Sequence, residues 1–125
     1  MATEQQHSDA VVALLNTLGG LAYDLGDVPA IRPERYTEVT VTRRFGGEQR
    51  TSGERDGQLL RIAVRQVARV YQNAQNLRAK SAGLEGVMLT IAGATCTPIE
   101  FETADPIGPD DGWFSGLETW TYALI

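Results

Sequence analysis

Val11, Leu14, Leu15, Leu18 and Ala22 recur at steps of three and four residues, which places them on one apolar stripe of a helix. Thr3 or Ser8 supplies a capping side chain at its start, and Gly19-Gly20 marks where the helix stops or kinks. Asp27-Val28-Pro29 and Arg32-Pro33 then exclude helix, so 26–35 reads as a linking loop. The period drops to two over 36–44, with Val39 and Val41 on one face and Glu38, Thr40 and Thr42 on the other. It is two again over 59–67, where Leu60, Ile62 and Val64 point inward and Arg61, Ala63 and Arg65 outward. These two strands are expected to pair as a hairpin across the glycine-bearing stretch 45–57. A connection of that length points to function or disorder, and this one is expected to be mobile until it meets a partner.

Val67, Val70, Tyr71, Ala74, Leu77, Ser81 and Leu84 restore the helical period, predicting a second helix over 67–82 ended by Gly83 in the left-handed region. Strands are predicted over 87–91 and 99–102, joined as a hairpin by a turn at Gly93, and over 117–125 with Trp120, Tyr122 and Leu124 on one face. Asp105-Pro106-Ile107-Gly108-Pro109-Asp110-Asp111-Gly112 is too rich in Pro and Gly for a helix or a sheet interior and reads as a rigid excursion. The expected architecture is α+β: a mainly antiparallel sheet of four to five strands with two helices packed on one face. At 125 residues and 42% hydrophobic content, 1–125 is expected to form one domain.

Charge changes the picture. All 11 basic residues fall between Arg32 and Lys80, so residues 1–31, 32–80 and 81–125 carry −4, +6 and −7, which sum to the −5 of the chain. If these blocks form separate surfaces, the acidic flank of one copy meets the basic flank of the next; if the fold interleaves them, no such field exists. Ten of the 11 basic residues are arginine, the cation suited to desolvated ion pairs. The alternative explanation is a compositional bias that replaces lysine by arginine throughout the chain. Arg43, Arg44, Arg50, Arg55, Arg61 and Arg65 cluster on the predicted hairpin and its loop. Free binding to duplex nucleic acid is disfavoured by the acidic net charge, and no sequence-specific nucleic-acid site is expected.

Catalytic chemistry finds little support. The single His7 reads as an unengaged surface residue ahead of the first helix, and one Cys with one His cannot build a zinc site. Cys96 reads as a small buried hydrophobe, which suits a reducing compartment. No apolar run approaches the length of a membrane span, and the first residues lack the basic region of a signal peptide, so a soluble, cytosolic protein without membrane partners is expected. Glu100 with Glu102, and Asp110 with Asp111 beside Trp113, are the paired carboxylates. They could hold a cation, but they read better as a solvated acidic face. Trp113 and Phe114 either anchor a partner from a loop or fold back over the sheet edge, the latter slightly favoured.

Several of these segments together resemble the tail terminator proteins of long-tailed (siphovirus) bacteriophages. They are the first amphipathic helix, the strand running into Arg44-Phe45-Gly46-Gly47, and the passage from Ile62-Ala63-Val64 to Ala74-Gln75-Asn76-Leu77. The ending from Asp105-Pro106-Ile107-Gly108 through Gly112-Trp113-Phe114 to Thr119-Trp120-Thr121-Tyr122 is similar to the version in phages of actinobacteria. The resemblance implies a non-enzymatic virion protein without cofactors, assembled in the host cytoplasm and placed at the head-proximal end of the tail. It further implies a homo-hexameric ring that caps the major tail tube protein, ends its polymerisation and docks the head-tail connector or stopper. On that view Arg43, Arg44, Arg61 and Arg65 would meet Glu100, Glu102, Asp110 or Asp111 of the adjacent subunit. The alternatives are a head-tail stopper or minor tail protein, and a monomeric domain binding a small ligand or metal near Glu100, Asp110, Asp111 and Trp113.

Overall fold

The computed structural model describes residues 3–44 and 59–124. The hairpin loop 45–57, with Arg50 and Arg55, and the side chain of Arg44 lie outside the described residues.

Helix α1 (Glu4–Thr17) begins at a reciprocal cap: the Thr3 hydroxyl accepts the Gln6 backbone N–H, and the Gln6 side chain accepts that of Thr3. It ends in a Schellman turn. Gly19 takes φ 85°, its N–H donates to the Asn16 carbonyl, and Gly20 donates to that of Leu15. Ala22, expected on the helical stripe, therefore lies beyond the helix in strand β1 (Ala22–Asp24), which runs parallel to β2 (Arg35–Arg44). A 3₁₀ turn, Leu25–Asp27, opens the linking loop.

Strands β2 and β3 (Leu59–Ala68) pair in the expected antiparallel register, Val39 opposite Val64 and Val41 opposite Ile62. Strand β3 runs one residue further than the pattern predicts, and helix α2 (Tyr71–Ser81) starts later. Val67, Ala68 and their neighbours satisfy their backbone groups in the sheet instead, and Val70 and Tyr71 are left exposed. Gly83 does not adopt a left-handed conformation: α2 continues into a 3₁₀ turn, Ala82–Leu84, and the positive φ falls at Gly86. Gly83 instead gives α1 room, since a Cβ there would lie 2.9 Å from a Leu18 methyl.

Strand β4 (Met88–Ile91) does turn at Gly93, but its partner is β5 (Ala94–Pro98), through a two-residue turn with Ala92 and Gly93 both at positive φ. The Glu100–Ala104 strand, β6, leaves that hairpin and joins the edge of the main sheet against β8 (Trp113–Ala123). The Pro/Gly segment holds a short strand, β7 (Gly108–Asp110). It pairs with the start of β8 across a second two-residue turn, Asp111-Gly112, where a sheet edge tolerates Pro109. The main sheet has the order β1-β2-β3-β8-β6, with β7 also on β8, and is antiparallel except at β1.

Its inner face is Val39 and Val41, Leu60, Ile62 and Val64, and Trp120 and Tyr122, covered by Val11 and Leu15 of α1 and closed by Leu84, Leu89, Ile91, Cys96 and Ile99. Both helices lie on this face, as the α+β reading requires: α2 packs Ser81 against Gln66, which shares a strand face with Leu60 and Ile62. Among the described residues no α-helix lies over the opposite face.

Candidate interaction surface

The uncovered face follows from strand alternation. Glu38, Arg65 and Leu117 form one row across β2, β3 and β8; Thr40, Ala63 and Thr119 form the next; Thr42, Arg61 and Thr121 form a third. These rows bring the basic and acidic blocks together, because the β2-β3 pair of the basic segment joins, through β3, with β8 of the acidic C-terminal segment. Arg65 sits 3.8 Å from Glu38, its direct cross-strand partner. A bulge between Phe101 and Thr103 inserts Glu102 as an extra residue, and its carboxylate takes both forks of Arg61, Nε to Oε1 at 2.9 Å and Nη2 to Oε2 at 2.8 Å. The Thr119 hydroxyl donates to the same carboxylate, and this hydrogen-bonded partner raises the pKa of Arg61.

Two of the four arginines expected to reach a neighbouring subunit, Arg61 and Arg65, thus meet carboxylates of their own chain. Their sequence neighbourhood is basic, but the side chains that meet them are carboxylates, Glu38 on the adjacent strand and Glu102 two strands away. Arg43 lies at the end of β2, opposite Leu60, where its backbone N–H donates to Glu4. The backbone of Arg44 pairs with that of Leu59.

The carboxylates expected to form one cation site are spread out. Glu100 is opposite Thr121, whereas Asp110 is opposite Trp113, eight residues earlier on β8. At the usual strand rise that separation is roughly 26 Å. Asp110 accepts a hydrogen bond from the Ser115 hydroxyl at 2.9 Å, and Asp111 is exposed at the turn. A groove of about 400 Å³ beside β7 is lined by Arg65, Asp105 and Asp110 but not by Glu100. Among the described residues no three His, Cys, Asp or Glu side chains are grouped to hold a metal ion. Among the described residues no helix is long and apolar enough to cross a membrane.

Trp113 belongs to β8 rather than to a loop. It makes an edge contact with Tyr36 at 6.4 Å, and the guanidinium carbons of Arg32 and Arg69 lie 4.2 and 4.5 Å from its ring centroid. Phe114, on the other side of the strand, packs edge-on against Tyr71. Arg32 also donates to the Tyr36 hydroxyl. Neither arginine was singled out by its sequence neighbourhood. Both flank strand ends, and only the β2-β3-β8 register brings them to one indole.

Two buried polar groups also escape the linear reading. Gln66, Arg78, Ser81 and Glu118 form a network under α2: Gln66 donates to Glu118 at 2.9 Å, and Arg78 Nε donates to Gln66 at 3.0 Å. Burial pushes the Glu118 carboxyl above its ordinary pKa, against the opposing effects of Gln66 and Arg78. His7 is fully buried, not at the surface, because the Thr3 cap starts the helix early and sets His7, Val11 and Leu15 on one face at four-residue spacing. Its Nδ1 lies 2.5 Å from the Tyr122 hydroxyl, and burial lowers its pKa while raising that of Tyr122. Cys96 is buried as expected, and its thiol is likewise pushed up.

No family model and no curated protein matches the chain. Among solved structures it superimposes with a TM-score of 0.65 on a chain from the virion of a native gene transfer agent (GTA) particle. The two are 18% identical, over 96% of this chain and 89% of that one. A second solved protein, which bears no functional name, gives a TM-score of 0.65 at 12% identity over 97% of this chain and 92% of that one. Both likenesses establish a shared fold along almost the whole chain.

Proposed function

We propose that this chain is a structural protein of a phage-like virion, and specifically a tail terminator. It forms a hexameric ring that caps the tail tube, ends its growth and presents a docking surface to the head-tail connector. One observation carries this reading: the fold is shared, nearly end to end in both chains, with a component of an assembled gene transfer agent particle. The sequence resemblance to tail terminators was drawn from residues alone and points the same way. A sheet face without an α-helix over it, and sheet edges without a further strand, among the described residues, suit a subunit whose work is contact rather than turnover.

The test is to polymerise the major tail tube protein with and without this chain, following tube length by electron microscopy and the free chain by light scattering. Added chain should arrest tubes at a short length with one ring at the end. Tubes that grow unchanged, with the chain monomeric and unbound, would refute the proposal.

A further inference from the structure

Two groups of exposed charged side chains that lie beside exposed apolar surface have no ion-pair partner among the described residues. Arg32 and Arg69, held on Trp113, are both exposed, and neither has a carboxylate in ion-pair range among the described residues. Ile31, 90% exposed, and half-exposed Val70 stand beside them, since the Arg69 backbone N–H donates to the Glu34 carbonyl and so ties the two segments together. Asp110 and Asp111 border this patch. Its character therefore lies in two guanidinium forks fixed at an aromatic face beside open apolar area, not in net charge. That composition, arginine with a large aromatic and aliphatic neighbours, is the one that dominates binding energy at protein interfaces.

The second group lies at the far end of β8, on the open edge of β6. Glu100 and Glu85 are exposed and have no basic partner among the described residues. Gly86 donates to the Ile99 carbonyl at 2.8 Å and Ile99 to that of Val87 at 2.9 Å, which brings the two acidic segments together. Met88 and Phe101, each half exposed, supply apolar area here.

We infer that these two patches are the two halves of one contact between copies of the chain: Arg32, Arg69 and Ile31 of one subunit receive Glu85, Glu100 and the Met88/Phe101 edge of the next. Each patch couples exposed apolar surface to charged groups without an ion-pair partner among the described residues, guanidinium forks in one and carboxylates in the other. A second copy thus offers the guanidinium forks of one patch the carboxylates of the other. The patches are separated along the sheet by roughly the 26 Å length of eight strand residues. The contact is therefore heterologous and repeats head to tail, closing a ring where the rotation allows. The inference rests on the ring reading above and names its interface.

Arg69→Glu, Glu100→Arg and their combination test it by sedimentation and light scattering, alone and on tail tube protein, under conditions where the unaltered chain assembles. Each single change should weaken assembly by about tenfold or more, and the combination should recover most of that loss. Ile31→Asp should weaken assembly without altering either charge of the pair. All three positions are exposed, so thermal melting by circular dichroism should match the unaltered chain. Single variants that assemble normally, or a double variant no better than the worse single, overturn this interface and leave the ring reading standing. An unaltered chain that stays monomeric with and without tube protein overturns both.

Discussion

The main sheet carries an arginine–glutamate pair on each face, and the two differ in an instructive way. On the open face, Arg61 and Glu102 meet through two parallel bonds of 2.8 and 2.9 Å, with side chains 37% and 28% exposed. On the covered face, the nearest approach of Arg78 to Glu118 is 3.9 Å, but the side chains are 23% and 4% exposed. The first pair has the better geometry and the smaller consequence, because water and salt screen it and already solvate both ions. The second has poor direct geometry and is held through Gln66 and Ser81. Its carboxylate has little access to water, so loss of a neighbour leaves an uncompensated charge. Burial rather than distance ranks the two.

Arg78→Met should break the comparison most sharply, lowering unfolding free energy in urea by about 3–5 kcal/mol. Adding Glu118→Leu should return most of that loss, because the orphaned charge disappears and α2 can close on apolar contact. A double variant as unstable as the single would mean that the network acts by packing alone.

Gly116→Ala probes the same corner from the backbone side. A Cβ there would lie 2.7 Å from Arg78 Nη2, 2.9 Å from Ile107 Cγ1 and 3.1 Å from Ile107 Cα, and the last is main chain that cannot swing away. A loss of about 1–3 kcal/mol is expected from overpacking.

Titration sharpens the contrast between buried and open charge. The pKa of His7 is lowered from 6.5 by burial and by nearby Arg43, so the unfolded chain takes up a proton first as pH falls. Its contribution is complete above pH 6.5 and is lost below it, with a slope of at most about 1.4 kcal/mol per pH unit. Glu118 acts with the opposite sign: its raised pKa makes stability fall as pH rises from 4.5 toward the folded value. His7→Asn should flatten the melting-temperature profile just below pH 6.5, whatever it does to the absolute value. A slope there identical to that of the unaltered chain would discharge His7 from the role.

The smallest effect belongs to the best-made pair. Arg61→Gln should change stability by less than about 1 kcal/mol, and that difference should shrink as salt is added. A larger, salt-insensitive loss would reverse the ranking of the two faces.

Strand and helix content was legible wherever a segment buries one face against the core. Val39, Val41, Leu60, Ile62 and Val64 lie inward as their alternation requires, and Val11 and Leu15 lie under α1. Short edge strands were not legible. Residues 22–24, 94–98 and 108–110 carry no period of their own and are strands only because a neighbour offers them backbone partners. The proposed contact was legible only in part. Glu100 stood out as a carboxylate, but Arg32 and Arg69 are separated by 37 positions in the chain and acquire meaning only when β8 carries Trp113 between them.

What the chain order determined by itself was local: the cap and end of the first helix, the periods of the core-facing segments, the turn at Gly93 and the sign of each charged segment. These depend on neighbours within a few residues, where sterics and side-chain spacing act directly. Which charges meet was decided by strand order. Pairing β3 against β2 set Arg65 beside Glu38, the β8–β6 edge brought Glu102 from the acidic segment to Arg61, and a different pair of arginines was left open at the sheet's end. Coulomb interactions act through space, and only the tertiary fold converts distance along the chain into distance between charges.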